Sequence, residues 1–106
     1  MGNSFWLDVI TPSKKFFSGE VEQVIITTPQ GKEGFMAKHS WTCKLLAAGA
    51  LWIRELGSAE DDWKIASAAG GFADIKKNMI IYTDAIEWDM GPNRRRTRII
   101  TKDSGK

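Results

Sequence analysis

An all-β sandwich is the fold class this sequence predicts, and three observations predict it. Apolar and polar residues alternate in short runs that turn residues interrupt about every ten positions, the pattern of strands half-buried against a second layer. Helical periodicity is nearly absent. β-Branched residues crowd positions 21–28 almost without interruption, as in a strand at the centre of a sheet.

The elements follow in order. Phe5, Leu7 and Val9 share one face of a first strand and Trp6, Asp8 and Ile10 the other, and Thr11-Pro12-Ser13 ends it. Phe16-Phe17 leads through Ser18-Gly19 into the strand over 21–28, which Pro29 stops. Gln30-Gly31-Lys32-Glu33-Gly34 sets two glycines around two charges and reads as a tight loop with an exposed tip. Ala48-Gly49 is the next turn; a strand over 51–55 follows, and the run Gly57-Ser58-Ala59-Glu60-Asp61-Asp62 reads as a solvated hairpin tip. Strands over 63–67, 72–75 and 79–83 complete the set, the last two joined as a hairpin through Lys76-Lys77-Asn78. The glycines of Ala69-Gly70-Gly71-Phe72 suit a bulge or a close approach of backbone to backbone.

At 106 residues, 42% hydrophobic and 26% charged, the chain has the composition of a folded domain and the size to bury one core. No apolar run approaches the roughly 20 residues of a membrane-spanning helix. The amino terminus lacks the basic-then-apolar pattern of a signal peptide, so the expectation is a chain retained where it is made. A net charge of +2 hides an asymmetry, since residues 1–91 hold nine Lys/Arg against twelve Asp/Glu while residues 92–106 hold six against one. The organisation read from this is a sandwich over residues 1–90 and a basic tail over 91–106. The block Arg94-Arg95-Arg96-Thr97-Arg98 has the charge to attract phosphate or an anionic membrane face. Its place after Gly91-Pro92 and before Ser104-Gly105 favours a solvated terminus.

Chemistry finds little to stand on. His39 and Cys43 are the single histidine and single cysteine, which supplies neither an internal disulfide nor a zinc ligand set. Cys43 lies among Trp41, Leu45 and Leu46 and reads as a small core residue, and no third group is placed to orient His39 as a base. The carboxylates at 60–62 are adjacent, not spaced to wrap a cation. Ala69-Gly70-Gly71-Phe72 lacks the lysine, hydroxyl and helix of a phosphate cradle. No catalysis, metal or cofactor is therefore expected. Trp6 and Trp52 fall opposite the core stripe, which suits either a partner surface or tryptophans covered by their own neighbours.

The stretch from Phe-Trp-Leu-Asp-Val-Ile-Thr-Pro at residue 5 through Phe-Phe-Ser-Gly-Glu-Val-Glu-Gln-Val to Thr-Pro-Gln-Gly-Lys-Glu-Gly-Phe-Met-Ala-Lys-His, ending at His39, resembles the epsilon-subunit family of F-type ATP synthases. Ala48-Gly49-Ala50-Leu51-Trp52-Ile53, Ala69-Gly70-Gly71-Phe72-Ala73-Asp74-Ile75 and Asn78-Met79-Ile80-Ile81-Tyr82-Thr83-Asp84-Ala85-Ile86-Glu87 follow in that family's order, so the likeness covers residues 4–89. The resemblance implies a ten-stranded β-sandwich in the central rotor of a proton- or sodium-translocating ATP synthase, peripheral to the cytoplasmic face of a bacterial inner membrane or an organelle equivalent. It implies no chemistry of its own and two partners, the gamma subunit and the c-ring. By motif, Gly31, Lys32, Glu33 and Gly34 fall at the c-ring contact, and Phe35, Met36, Lys38 and His39 at the gamma contact.

Two departures qualify this. Where the family reads Gly-Ile-Leu-Pro-Gly-His-Ala-Pro, this chain has Gly34-Phe35-Met36-Ala37-Lys38-His39-Ser40-Trp41, without either proline or the inner glycine. The family continues into a helical hairpin that restrains ATP hydrolysis, and residues 92–106 do not accommodate one, so that inhibition is expected to be absent. The alternative from another class is a small anion- or nucleic-acid-binding module that uses Arg94 to Arg98 with exposed tryptophans as stacking surfaces.

Overall fold

The computed structural model describes residues 3–89. Its strands are β1 (Phe5–Ile10), β2 (Lys15–Thr28), β3 (Gly31–Met36), β4 (Thr42–Leu46), β5 (Gly49–Glu55), β6 (Lys64–Ala68), β7 (Gly71–Ile75), β8 (Met79–Tyr82) and β9 (Ile86–Trp88). They form an all-β sandwich, with nine strands among the described residues where the resemblance implied ten. The strands pair in the order β4-β7-β8-β1-β2-β5-β6-β9, with β3 also on β2.

The 14 residues of β2 connect the two layers. Its first half pairs with β1, Phe5 opposite Val21 and Val9 opposite Phe17. Its second half lies between β3 and β5, with Val24 opposite both Phe35 and Ile53. The sequence marks the change of layer: buried Val21 and Val24 are three apart, not two, and the pairing with β5 shifts register between Val21 and Gln23. Glu22 is the extra residue of that bulge. Its carboxylate accepts from Arg54 Nη1 at 2.8 Å, while Arg54 Nη2 donates to Gln23 Oε1 at 3.3 Å.

Alternation places the core. Phe5, Leu7 and Val9 of β1 meet Val21, Val24 and Ile26 of β2, Leu51 and Ile53 of β5, Ala73 and Ile75 of β7, and Met79 and Ile81 of β8 in one cluster. The β7–β8 hairpin forms around Lys76-Lys77-Asn78 as read, with Ile75 opposite Met79. β1 and β8 run parallel, Leu7 beside Met79 and Ile10 beside Tyr82. The glycine pair before β7 has φ of 112° at Gly70 and 130° at Gly71, and a Cβ on Gly71 would stand 1.9 Å from the carbonyl oxygen of Tyr82. This is the close backbone approach that the sequence suggested.

Two expectations are corrected. Residues 30–34 are not a loop: the turn is Pro29-Gln30 alone, and Gly31 to Gly34 pair with β2 as an edge strand. An edge strand tolerates glycine and charge because one of its sides faces water. Cys43 is exposed, not core. Residues 42–46 form β4 at the end of the sheet, where Leu46 is its one buried residue.

Candidate functional site

The β2–β3 hairpin is closed by Thr28, whose hydroxyl donates to Gly31 O at 2.8 Å and accepts from Gln30 N at 3.2 Å. Gly31, with φ of 119°, begins the return strand. Strand alternation then divides the four residues assigned to one tip. Lys32 and Gly34 face outward with Thr27 and Ile25, and the Lys32 ammonium lies 5.2 Å from the centre of the Trp52 ring. Glu33 faces the opposite way and is held by Lys44 of β4 at 3.2 Å and by the Thr28 hydroxyl at 3.3 Å. Its charge is therefore engaged within the chain, whereas Lys32 remains exposed.

The segment after the hairpin divides in the same way. Phe35 packs against the core and Met36 is exposed. Lys38 is exposed with φ of 69°, the one non-glycine positive φ among the described residues. His39 closes the segment down. Its Nδ1 faces the Met36 carbonyl, its Nε2 lies 2.7 Å from the Lys76 carbonyl, and Phe5 and Phe35 meet its ring edge-on at 4.9 and 5.9 Å. Both ring nitrogens are thus directed at backbone acceptors, the arrangement of a structural clasp between the β3–β4 and β7–β8 connections. His39→Ala is expected to cost about 1–3 kcal/mol, because it removes the ring N–H that serves the Met36 or Lys76 carbonyl and the ring that lies between Phe5 and Phe35. Thermal unfolding followed by circular dichroism measures this; an unchanged midpoint would contradict the clasp.

The outer tryptophans divide too. Trp52 is covered by its own neighbours, Trp63 at 5.9 Å and Lys32. Trp6 stays 45% exposed, tethered by its indole N–H to Ser18 Oγ at 3.2 Å and Asp8 Oδ1 at 3.3 Å. Sequence reasoning missed a more extensive apolar surface, which begins at Ile10 on the face of β1 that carries Trp6 and runs across the neighbouring strands. Leu45 pairs with Phe72, Phe72 with Tyr82 and Tyr82 with Ile10, so four neighbouring strands present one row on a single outer face. Leu45 is 67% and Phe72 43% exposed. The signal available was the alternation of residues 42–46, hidden because Leu45 and Leu46 are both apolar while only Leu46 turns inward.

Among the described residues no cluster of His, Cys, Asp or Glu is arranged to hold a metal ion. Arg94 to Arg98, on which the alternative reading depends, lie outside the described residues.

Residues 4–89 match the family described as the ATP synthase delta/epsilon chain, beta-sandwich domain. The ATP synthase epsilon chain of Caldanaerobacter subterraneus subsp. tengcongensis is 37% identical over 90 residues, which cover 83% of this chain and 62% of that one. That of Ruminiclostridium cellulolyticum is 40% identical over 86 residues, covering 80% and 61%. This chain thus spans about three fifths of the length of these relatives. Among solved structures, a chain of the Euglena gracilis mitochondrial ATP synthase OSCP/F1/c-ring assembly superposes with a TM-score of 0.74 at 22% identity, over 81% of this chain and 54% of that one. A chain of the Tetrahymena thermophila ATP synthase central stalk and c-ring does so with 0.65 at 15% identity, over 78% and 65%. At these identities the likeness is one of fold.

Proposed function

We propose, because this chain belongs to the delta/epsilon-chain β-sandwich family of ATP synthases, that it is a non-catalytic central-stalk subunit of a proton- or sodium-translocating F-type ATP synthase. It links the gamma subunit to the c-ring and works at the membrane surface through the complex, on the cytoplasmic face of a bacterial inner membrane or its organelle equivalent. The observation that carries this reading is the match of the whole sandwich, residues 4–89, to the family's sandwich.

The side-chain directions refine the contacts. Lys32 and Gly34 meet the c-ring from the outer face of the hairpin and Gly31 from its turn, with Glu33 fixing the hairpin through Lys44. Met36 and Lys38 meet the gamma subunit, with Phe35 and His39 holding their backbone in place. Nothing in this arrangement requires a cofactor.

Co-purification of the tagged chain with a gamma subunit from the same source, at moderate and high salt, tests the reading. A stable complex that persists without residues 92–106 supports it. No complex, with tail-dependent retention on nucleic acid, would overturn it. Within the complex, Lys32→Ala is expected to weaken retention on the c-ring by roughly threefold to tenfold at low salt, with the difference shrinking at high salt and gamma binding unchanged. Equal retention at every salt concentration would remove Lys32 from the contact.

A further inference from the structure

The apolar row on the outer face of β4, β7, β8 and β1 ends in a groove of about 330 Å³, lined by Ile10, Pro12, Phe72, Tyr82, Thr83 and Asp84 among others. We propose that this groove is a socket for an arginine side chain of the partner subunit, with the open face of the Phe72–Tyr82 stack receiving the guanidinium plane and Asp84 its charge. The proposal rests on the reading of this chain as a subunit that docks on a partner.

Three observations favour this occupant. First, the Phe72 and Tyr82 rings stack with centres 4.8 Å apart and planes inclined by 26°, yet they remain 43% and 36% exposed. A planar, weakly hydrated cation packs on such faces better than a lysine ammonium does. Second, five carboxylates of the strands are paired with cations, Asp8 with Lys15, Glu22 with Arg54, Glu33 with Lys44, Glu55 with Lys64 and Asp74 with Lys76, while Glu20 of β2 and Glu87 of β9 make no such pair and do not line the groove. Asp84 is exposed at the groove, and among the described residues no lysine or arginine makes such a pair with it. A purely apolar occupant would desolvate that carboxylate without compensation, whereas a guanidinium forks onto it. Third, the apolar side is supplied by Ile10 and Pro12, which suit the methylene stem of an arginine. Gly71 shapes the groove where β7 and β8 approach, because no side chain fits there.

The test is a titration of the isotopically labelled full chain, followed by backbone amide shifts, with n-butylguanidinium as probe and its neutral isostere n-butylurea as control. Saturable shifts at Gly71, Phe72, Thr83 and Asp84 are expected with the cation alone, and Asp84→Asn and Phe72→Ala should each weaken binding about threefold or more. Equal shifts with the urea, or binding indifferent to Asp84→Asn, would overturn the socket. The chain without residues 92–106 separates a partner's arginine from this chain's own. An unchanged titration is expected, while binding that appears only after the deletion would mean that Arg94 to Arg98 fill the groove and no partner residue does. Last, Asp84→Asn should weaken co-purification with the gamma subunit. A gamma complex of undiminished strength would overturn the partner assignment while leaving the proposed function standing.

Discussion

Gly71→Ala is expected to destabilise the sandwich by about 2–6 kcal/mol, the sum of a strained backbone and an overpacked contact at about 1–3 kcal/mol each. The collision is with backbone, the Tyr82 carbonyl oxygen 1.9 Å from the new Cβ, so no side-chain rotation relieves it. Relief requires β7 to separate from β8 where Phe72 pairs with Tyr82. Gly31→Ala provides the comparison, because Gly31 has φ of 119° but nothing within 4 Å of its Cβ. It should show the strain alone, about 1–2 kcal/mol. Urea unfolding of both variants separates the terms, and equal losses would show that the β7–β8 approach absorbs a methyl group.

Leu7→Ala is the second large effect, expected at about 2–5 kcal/mol. Leu7 is fully buried between Gly19 of β2 and Met79 of β8. Neighbours paired on both sides by backbone hydrogen bonds cannot collapse far into the space left, which places the cost toward the upper end. Against a total stability of about 5–15 kcal/mol, that is a large share. Leu45→Ala removes the same atoms from a side chain 67% exposed and should change stability by no more than about 0.5 kcal/mol. Matching losses from the two would contradict the assignment of core and surface.

Much of this was legible because β1, β5, β7 and β8 alternate cleanly and period-two alternation assigns each side chain to a face. The Gly70-Gly71 contact was legible in kind, since paired glycines leave few other readings. Residues 31–34 misled because glycine and charge mark turns and edge strands alike, and only pairing with β2 decides between them. Cys43 misled through its neighbours: an apolar run at the end of a sheet buries half its residues, and which half depends on register with β7. His39 was singled out, yet its contact with the Lys76 carbonyl spans 37 positions along the chain, and no local pattern reveals a contact of that kind. The row Leu45, Phe72, Tyr82 and Ile10 is likewise a product of cross-strand register, because its members come from four strands scattered through the sequence.

The parallel pairing of β1 with β8 also dictates an order of events. Residues 5–10 are synthesised before residues 79–82, with most of the sandwich between them. The antiparallel side of β1 can zip onto β2 early, across a short turn. Its other side must wait for nearly the whole sandwich to be made, and closing so long a loop raises the entropic barrier to folding. Until β8 arrives, Leu7 and Val9 lack the strand that completes their cover, and β1 offers an open edge to any other extended chain. Newly made chains are thus most vulnerable to misassembly in the interval before residues 79–82 dock.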